Sequence, residues 1–265
     1  MKSFLRGTKL KIDKQRGAIK ESFPLHEYFD PGSLFVETYP FPHVVVDNFF
    51  KDRVYQKLSC HFQRVLRRGF SRKENLKRFE PFLNLKGKYA YDGYVYVPWY
   101  GEDQALDVFF SVEWNNFFSN IFKQITSWST SMAYHHHPSG NRTGFVHHDH
   151  AEKEFTHNNE LPNGVIFQEG HKTSRFSALD VDVFKEYRSI ALIYYLGGTK
   201  EWKKGDGGET GLYVREGDSP VKLVAPINNR LLAFKISPHS FHAFQENHTP
   251  RSSIVQWFHS PKWIS

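Results

Sequence analysis

The sequence predicts an α+β protein, mainly β, in which helices come first and one antiparallel β-rich domain follows. Two observations lead to this prediction. Apolar residues recur at helical spacing in two segments of the first half, whereas from about Ser131 short β-branched and aromatic runs are separated by Gly, Pro and Asn. Many short strands with turn signals between them are typical of a sandwich or a barrel.

Composition and charge exclude several classes of protein. The 265 residues are 39% hydrophobic and 17% aromatic, which favours a folded chain over a disordered one. A single cysteine, Cys60, excludes an internal disulfide framework, and no apolar run approaches the ~20 residues of a membrane span. The first residues lack the apolar centre of a secretory signal, so we expect a cytoplasmic protein. The formal charge of +7 indicates either an anionic partner or, as we favour, an ordinary basic surface.

The first half is predicted to contain an arm, one strand and two helices. Residues 1–22 lack apolar periodicity and should form an irregular basic arm, while residues 23–130 should be mostly helical. The β-branched run Val44–Val46 indicates a buried strand. Helices are predicted from Lys51 to about Leu66 and over Val112–Thr126, because apolar residues there repeat at helical spacing. Their apolar stripes are Val54, Leu58, Phe62 and Val65 in the first helix and Trp114, Phe117, Phe118, Ile121 and Ile125 in the second.

The second half, residues 131–265, should supply the strands of one core. Strands are predicted in SMAYHHH, TGFVHHD, SIALIYYL, GLYVRE, VKLVAP, NRLLAFKI, SFHAF and SSIVQWF. SIALIYYL has apolar residues at both odd and even positions, so this strand should be covered on both faces. Residues 150–187 are polar and rich in Asn, Glu and Lys, and we interpret them as an inserted loop or a lid. A disordered surface insertion is the alternative.

A metal site is predicted from the placement of three residues among 15 histidines. His147 and Asp149 are two residues apart, and a strand places such residues on one face. His242, in SFHAF, supplies the third ligand if a neighbouring strand completes the site. Two histidines and one carboxylate hold non-haem iron(II) and leave positions open for a bidentate 2-oxo acid and O₂. Arg251 follows nine residues after His242, and its guanidinium suits the distal carboxylate of such an acid.

Other interpretations of these histidines stay open. An HxD pair alone is more often a surface or structural pair. The motif HHDH also offers a frame in which His148 and His150 point inward, which we disfavour because Asp149 would then point away. The run His135–His137 is consistent with a surface patch.

Three blocks, in order across roughly Ser131–Phe258, resemble the 2-oxoglutarate/iron(II) dioxygenases of the prolyl 4-hydroxylase type, which include the hypoxia-sensing prolyl hydroxylases. TGFVHHD resembles their first metal-binding strand, and RSIALIYYLGGTKEW with GDGGETGLYV resembles their central hairpin. NRLLAFKISPHSFHAFQENHTPRSSIVQWF resembles their closing strands. The resemblance implies a double-stranded β-helix core of the jelly-roll, cupin-like kind with flanking helices, in one oxygenase domain over residues 23–265.

The resemblance also implies roles for individual residues. It makes His147, Asp149 and His242 the iron ligands. It makes Arg251 the 2-oxoglutarate anchor. Tyr195 matches a position whose hydroxyl helps to hold the same carboxylate, with a core aromatic as the alternative. Trp257 matches an aromatic close to the site, and we expect it to serve packing.

The implied activity is hydroxylation of an unactivated C–H bond in an amino acid, a peptide or protein side chain, or a small metabolite. It would use Fe(II), with 2-oxoglutarate and O₂ as cosubstrates converted to succinate and CO₂, and ascorbate as a candidate reductant. The alternatives are a non-catalytic jelly-roll binding module and a basic nucleic-acid-binding protein. We expect neither a membrane nor a nucleic-acid partner. The stretch from Asp149 to Arg188 is longer than in the hypoxia sensors, so their peptide substrate does not transfer.

Overall fold

Two sheets form the centre of the molecule. The computed structural model describes residues 22–30, 32, 34–68, 79–81, 94–168, 182–197 and 201–262. The helices are α1 (Leu25–Tyr28), α2 (Asp52–Arg68) and α3 (Val112–Phe122), with 3-10 helices at Gln104–Phe110 and His157–Asn159. The strands are β1 (His43–Val46), β2 (Phe79–Pro81), β3 (Tyr94–Tyr96), β4 (Ser129–His137), β5 (Glu152–Thr156), β6 (Ile166–Phe167), β7 (Val183–Tyr195), β8 (Thr210–Leu212), β9 (Lys222–Val224), β10 (Leu231–Lys235), β11 (His242–Phe244) and β12 (Arg251–Ser260).

The larger sheet has nine strands and the smaller has three. In the larger sheet the order is β1-β10-β7-β12-β4-β3-β2, with β5 paired to β7 and β6 paired to β4. The smaller sheet has the order β11-β8-β9. All pairs are antiparallel except β4 with β6. Two facing sheets whose strands come from distant parts of the chain form the predicted jelly-roll core.

Strand β7 separates two hydrophobic clusters, as its sequence predicts. Ile190, Leu192 and Tyr194 pack into a cluster with the helices on the outer face of the larger sheet. Ala191, Ile193 and Tyr195 pack into a second cluster that also contains Leu212 and Val224 of the smaller sheet. The second cluster therefore fills the space between the sheets, and that space is where the candidate site lies.

The two predicted helices are present, and the second is shorter than predicted. The apolar stripe of α2 is buried throughout. In α3 the side chain of Ser111 caps the first turn by accepting from the Trp114 N–H at 3.2 Å. The helix ends because Lys123 takes a left-handed conformation with φ of 50°. Ile125 lies beyond this turn and is 81% exposed, so its predicted place in the apolar stripe is wrong.

Two segments differ from the predicted organisation. The described part of residues 23–130 is mixed rather than mostly helical, because β1, β2 and β3 lie there beside the helices. Residues 150–187 are not a single structureless insertion, since β5 and β6 extend the larger sheet. Residues 169–181, the centre of the predicted lid, lie outside the described residues. The predicted arm, residues 1–22, also lies outside them except for Ser22.

No helix among the described residues is both long and apolar enough to cross a bilayer.

Gln256 links β12 to the helical layer, and its loss is expected to destabilise the fold. Its side-chain amide donates to the Phe109 carbonyl at 2.7 Å, and its side-chain oxygen accepts from the Trp114 indole N–H at 2.8 Å. Gln256→Leu leaves both partners buried and unsatisfied, at ~1–3 kcal/mol each. We expect the free energy of unfolding in urea to fall by about 2–4 kcal/mol. Gln104→Leu, at an exposed position, should change it by under ~0.5 kcal/mol; equal losses in both variants would contradict this role.

Candidate active site

Backbone pairing joins the two segments that carry the predicted ligands. His147 and His242 form an isolated antiparallel bridge. The His147 N–H donates to the His242 carbonyl at 3.0 Å, and the His242 N–H donates to the His147 carbonyl at 2.8 Å. His242 begins β11, whereas the predicted strand in TGFVHHD is reduced to this one bridge. The short pairing is sufficient to place both imidazoles side by side, with ring centroids 4.5 Å apart.

The side chains of His147, Asp149 and His242 converge on one point. The Nε2 atoms of His147 and His242 each lie 3.7 Å from an oxygen of Asp149. One ligand atom from each residue lies within 4.8 Å of the others. Among the described residues, this is the one group of three or more His, Cys, Asp or Glu side chains that satisfies that test.

The donor atoms are in the right state for a divalent ion. The Nδ1 of His147 lies 3.1 Å from the Phe145 carbonyl, and the Nδ1 of His242 lies 3.0 Å from the Ser240 carbonyl. A carbonyl accepts only, so each Nδ1 carries a proton, and each Nε2 faces the Asp149 carboxylate. Burial, with His147 as a second cause, lowers the pKa of His242 to about 4. His242 is therefore neutral at neutral pH, and the residues fit the two-histidine, one-carboxylate set that iron(II) takes.

Two further residues hold the Asp149 carboxylate. The Trp257 indole N–H donates to Oδ2 at 2.7 Å, so Trp257 does more than the packing we expected. The Arg188 guanidinium lies 3.5 Å from Oδ1 and 4.0 Å from the centre of the Trp257 ring. Burial alone would raise the pKa of Asp149, but His242, Arg188, His147 and the indole bond together outweigh it. The pKa lies well below its usual range, and the carboxylate is ionised.

A β-bulge explains why the sequence does not reveal Arg188. Phe258 pairs with Ile190, but the next residue of β12, His259, pairs with Arg188, so Ser189 is the extra residue. In an unbroken strand Arg188 and Tyr195 would face opposite sides. The bulge reverses this and turns Arg188 toward the space between the sheets, as bulges near active sites commonly do.

A second polar cluster surrounds Arg251. Its Nη2 donates to the Thr210 hydroxyl at 3.1 Å, and that hydroxyl lies 2.7 Å from the Tyr195 hydroxyl. The guanidinium carbon lies 5.2 Å from the ring centres of both Tyr195 and Phe244. Burial raises the pKa of Tyr195, with Arg251 opposing it, so the phenol stays protonated as a donor. The structure thus brings Arg251 and Tyr195 together, and Thr210 is a member that we did not predict.

The small sheet contributes His242 to the ligand group, and Thr210 and Phe244 to the Arg251 cluster. His242 pairs with Leu212, and Phe244 pairs with Thr210, two positions along the ladder. Two residues of extended strand span about 7 Å. A five-carbon diacid is long enough to reach from one group to the other.

The remaining histidines settle two of the earlier alternatives. His135, His136 and His137 are buried on β4, so the interpretation as a surface patch is wrong. His148 is exposed, whereas His147 and Asp149 point toward His242. The frame with His148 and His150 inward is therefore not the one that the structure adopts. Whether His147, Asp149 and His242 bind iron stays a prediction.

The C-terminal part of the chain matches the model of a known protein family. Residues 168–259, which include His242 and Arg251, match the family model described as the 2OG-Fe(II) oxygenase superfamily. Over these residues the chain is similar to that superfamily. The family prediction is confirmed, and the metal and cosubstrate that the superfamily uses are iron(II) and 2-oxoglutarate.

One relative and one solved structure are similar to parts of this chain. The prolyl 3-hydroxylase OGFOD1 of Xenopus laevis is 38% identical over 81 residues, which are 28% of this chain and 16% of that relative. The crystal structure of a Pseudomonas putida prolyl-4-hydroxylase superposes with a TM-score of 0.53 at 14% identity, covering 82% of this chain and 92% of that one. The latter similarity confirms the predicted fold, a double-stranded β-helix with flanking helices.

The indole bond to Asp149 is expected to contribute to metal affinity. Trp257→Phe keeps an aromatic ring but removes the donor to Oδ2, and partners of metal ligands commonly contribute 10–100-fold. We expect roughly tenfold weaker Co(II) binding, followed by the d–d absorption of the bound ion. The matched control is Trp128→Phe, which removes an exposed indole bond to Asn116. Unchanged affinity in Trp257→Phe would reduce Trp257 to the packing role.

Proposed function

We propose that this protein is an Fe(II)- and 2-oxoglutarate-dependent oxygenase that hydroxylates an unactivated C–H bond. The observation that supports it best is the convergence of His147, Asp149 and His242 within reach of the buried Arg251 cluster. Neither a jelly-roll binding module nor a nucleic-acid-binding protein requires both groups between its sheets. Bound iron(II) would supply O₂ activation coupled to decarboxylation of 2-oxoglutarate.

Different residues of the site would bind the metal, orient its carboxylate ligand and exclude water. His147, Asp149 and His242 would hold the ion through two imidazoles and one carboxylate, leaving its other coordination positions to small ligands. Trp257 fixes Oδ2 of Asp149, so the carboxylate cannot rotate freely. The aromatic and aliphatic residues of the inner cluster exclude water from the space between the sheets.

Arg251 and its neighbours would fix the orientation of 2-oxoglutarate. The guanidinium can form two parallel bonds to the distal carboxylate. The protonated Tyr195 and the Thr210 hydroxyl add neutral donors beside it. With one end anchored here, the 2-oxo acid end is directed toward the ligand group.

The substrate that we propose first is a prolyl residue of a peptide or protein. The support is the named activity of two similar proteins, a prolyl 3-hydroxylase and a prolyl-4-hydroxylase. An amino acid or another small metabolite is the second class to examine. We further propose a cytoplasmic location, which a single cysteine, Cys60, suits.

The test is release of succinate from 2-oxoglutarate by the purified protein with Fe(II) and O₂. We expect slow release without substrate, and stimulation by a member of a panel of proline-containing peptides, free amino acids and metabolites. Mass spectrometry of the stimulating compound should show a gain of one oxygen atom. No succinate under any condition, with iron(II) bound, would contradict an oxygenase.

A further inference from the structure

Two cationic side chains lie beside the metal-ligand group on the side away from Arg251. One is Arg188, 3.5 Å from Asp149 and stacked on Trp257. The other is Lys153 on β5, the strand that pairs with β7. Lys153 pairs with Glu186, two residues before Arg188, so Lys153 and Arg188 share one face of this ladder. Burial lowers the pKa of Lys153, with Arg188 as a second cause and Asp149 opposing, as expected for close neighbours.

Asp149 is the one described carboxylate within ion-pairing distance of either cation. Glu186 accepts from the Ser127 hydroxyl, and burial raises its pKa. Glu152 pairs with Lys185 at 2.6 Å. Among the described residues, Lys153 has no carboxylate oxygen within 4.0 Å, and Arg188 has only Asp149. His259, which lies beside both cations, is held neutral because burial, followed by Arg188, lowers its pKa to about 3.

When iron(II) and 2-oxoglutarate are bound, the positive charges of Arg188 and Lys153 are not balanced. Iron(II), Asp149, Arg251 and the doubly charged 2-oxoglutarate neutralise one another. Asp149 would then be committed to the ion, so Arg188 would lose most of its one counter-charge. A buried cation without a counter-charge is costly. The loaded site is therefore electrostatically suited to one more anion.

Unused hydrogen-bonding atoms lie in a small cavity next to Arg188. A cavity beside Arg188 is also lined by Ser131, Gln168 and Trp257. Within the described part of the chain, the Arg188 Nε and the Ser131 hydroxyl oxygen are both buried without a hydrogen-bond partner. An oxyanion could accept from both of them and from the Lys153 ammonium group.

We propose that Arg188 and Lys153 form the binding site for an oxyanion, a carboxylate or a phosphate, that the substrate carries. The inference rests on the proposed function and deepens it by naming the charge of the substrate. Since Arg188 touches the ligand carboxylate itself, the anion lies only a few bonds from the carbon that is hydroxylated. An acidic residue beside the target, a chain-terminal carboxylate or a phosphate would each satisfy this requirement.

The test uses the protein with Mn(II) in place of iron(II) and saturating 2-oxoglutarate. The probe is inorganic phosphate, whose ³¹P nucleus relaxes faster when it binds close to Mn(II). We expect saturable relaxation in the unaltered protein and roughly tenfold weaker phosphate binding in Lys153→Met, because one charge-assisted bond is lost. Lys185→Met is the matched control, since it removes an equal charge that is paired with Glu152, and it should bind phosphate normally. A parallel titration with ¹³C-labelled acetate distinguishes a carboxylate from a phosphate as the preferred group.

Other outcomes overturn the inference. These are phosphate relaxation seen only when 2-oxoglutarate is absent, no saturable relaxation with either anion, or equal weakening in both lysine variants. Failure of Mn(II) or 2-oxoglutarate to bind would instead contradict the proposed function, because both are measured first. Weakening of Mn(II), 2-oxoglutarate and phosphate by the same factor in Lys153→Met would indicate a structural role and reject the site.

Discussion

Replacement of His147, Asp149 or His242 by alanine is expected to abolish succinate release and to weaken iron(II) binding by more than about 100-fold. Even outer partners of metal ligands contribute 10–100-fold, so loss of a ligand itself should exceed that range. The fold should survive, because the backbone bonds between His147 and His242 do not depend on their side chains. Anaerobic iron titration measures the first effect, and circular dichroism checks the fold.

His148→Ala is the control for these variants. It removes an imidazole from the same HHDH motif, but His148 is exposed and lies outside the ligand group. We expect succinate release and iron affinity close to those of the unaltered protein. An inactive His148→Ala beside an active His147→Ala would mean that the other frame of the motif holds the metal.

The fold was predictable where periodicity is strong. The apolar stripe of α2 and the apolar residues at both odd and even positions of β7 identify buried surfaces from residue spacing alone. Prediction failed where local geometry overrides spacing. Ile125 continues the pattern of α3, but the left-handed Lys123 ends the helix before it. Residues 150–187 look structureless because β5 is mostly polar, yet β5 extends the larger sheet through backbone bonds.

The candidate site was also predictable only in part. Residue type, spacing and the family resemblance together predicted His147, Asp149, His242 and Arg251, because metal and carboxylate chemistry allow few side chains. Arg188 was hidden by a bulge at Ser189, which no periodicity reveals.

The hydrogen bond of Trp257 and the presence of Thr210 in the site were not predicted, for another reason. The Trp257 indole donates to Asp149, whereas the Thr210 hydroxyl accepts from Arg251 and bonds to the Tyr195 hydroxyl. Such contacts depend on strands that are far apart in sequence, so only the assembled sheets bring the partners together.

Arg251→Met is expected to raise the 2-oxoglutarate requirement by roughly 10- to 150-fold. This factor corresponds to the ~1.5–3 kcal/mol of a charge-assisted hydrogen bond. Methionine retains an apolar stem between the rings of Tyr195 and Phe244, so packing should change little. Iron(II) affinity without 2-oxoglutarate should stay within about twofold, since Arg251 is not in the ligand group. The measurements are the 2-oxoglutarate dependence of succinate release and a separate anaerobic iron titration.

Three further variants show whether Arg251 acts by its charge, by the geometry of its guanidinium or through the overall positive charge of the protein. Arg251→Lys should recover only part of the loss, because an ammonium group cannot form the two parallel bonds of a guanidinium. Tyr195→Phe removes one neutral donor and should raise the requirement by only about 2- to 10-fold. Arg142→Met removes an exposed positive charge and should leave the requirement unchanged. If Arg251→Met and Arg142→Met give equal constants, the distal carboxylate of 2-oxoglutarate binds elsewhere, and the Arg251 cluster is only a structural element between the sheets.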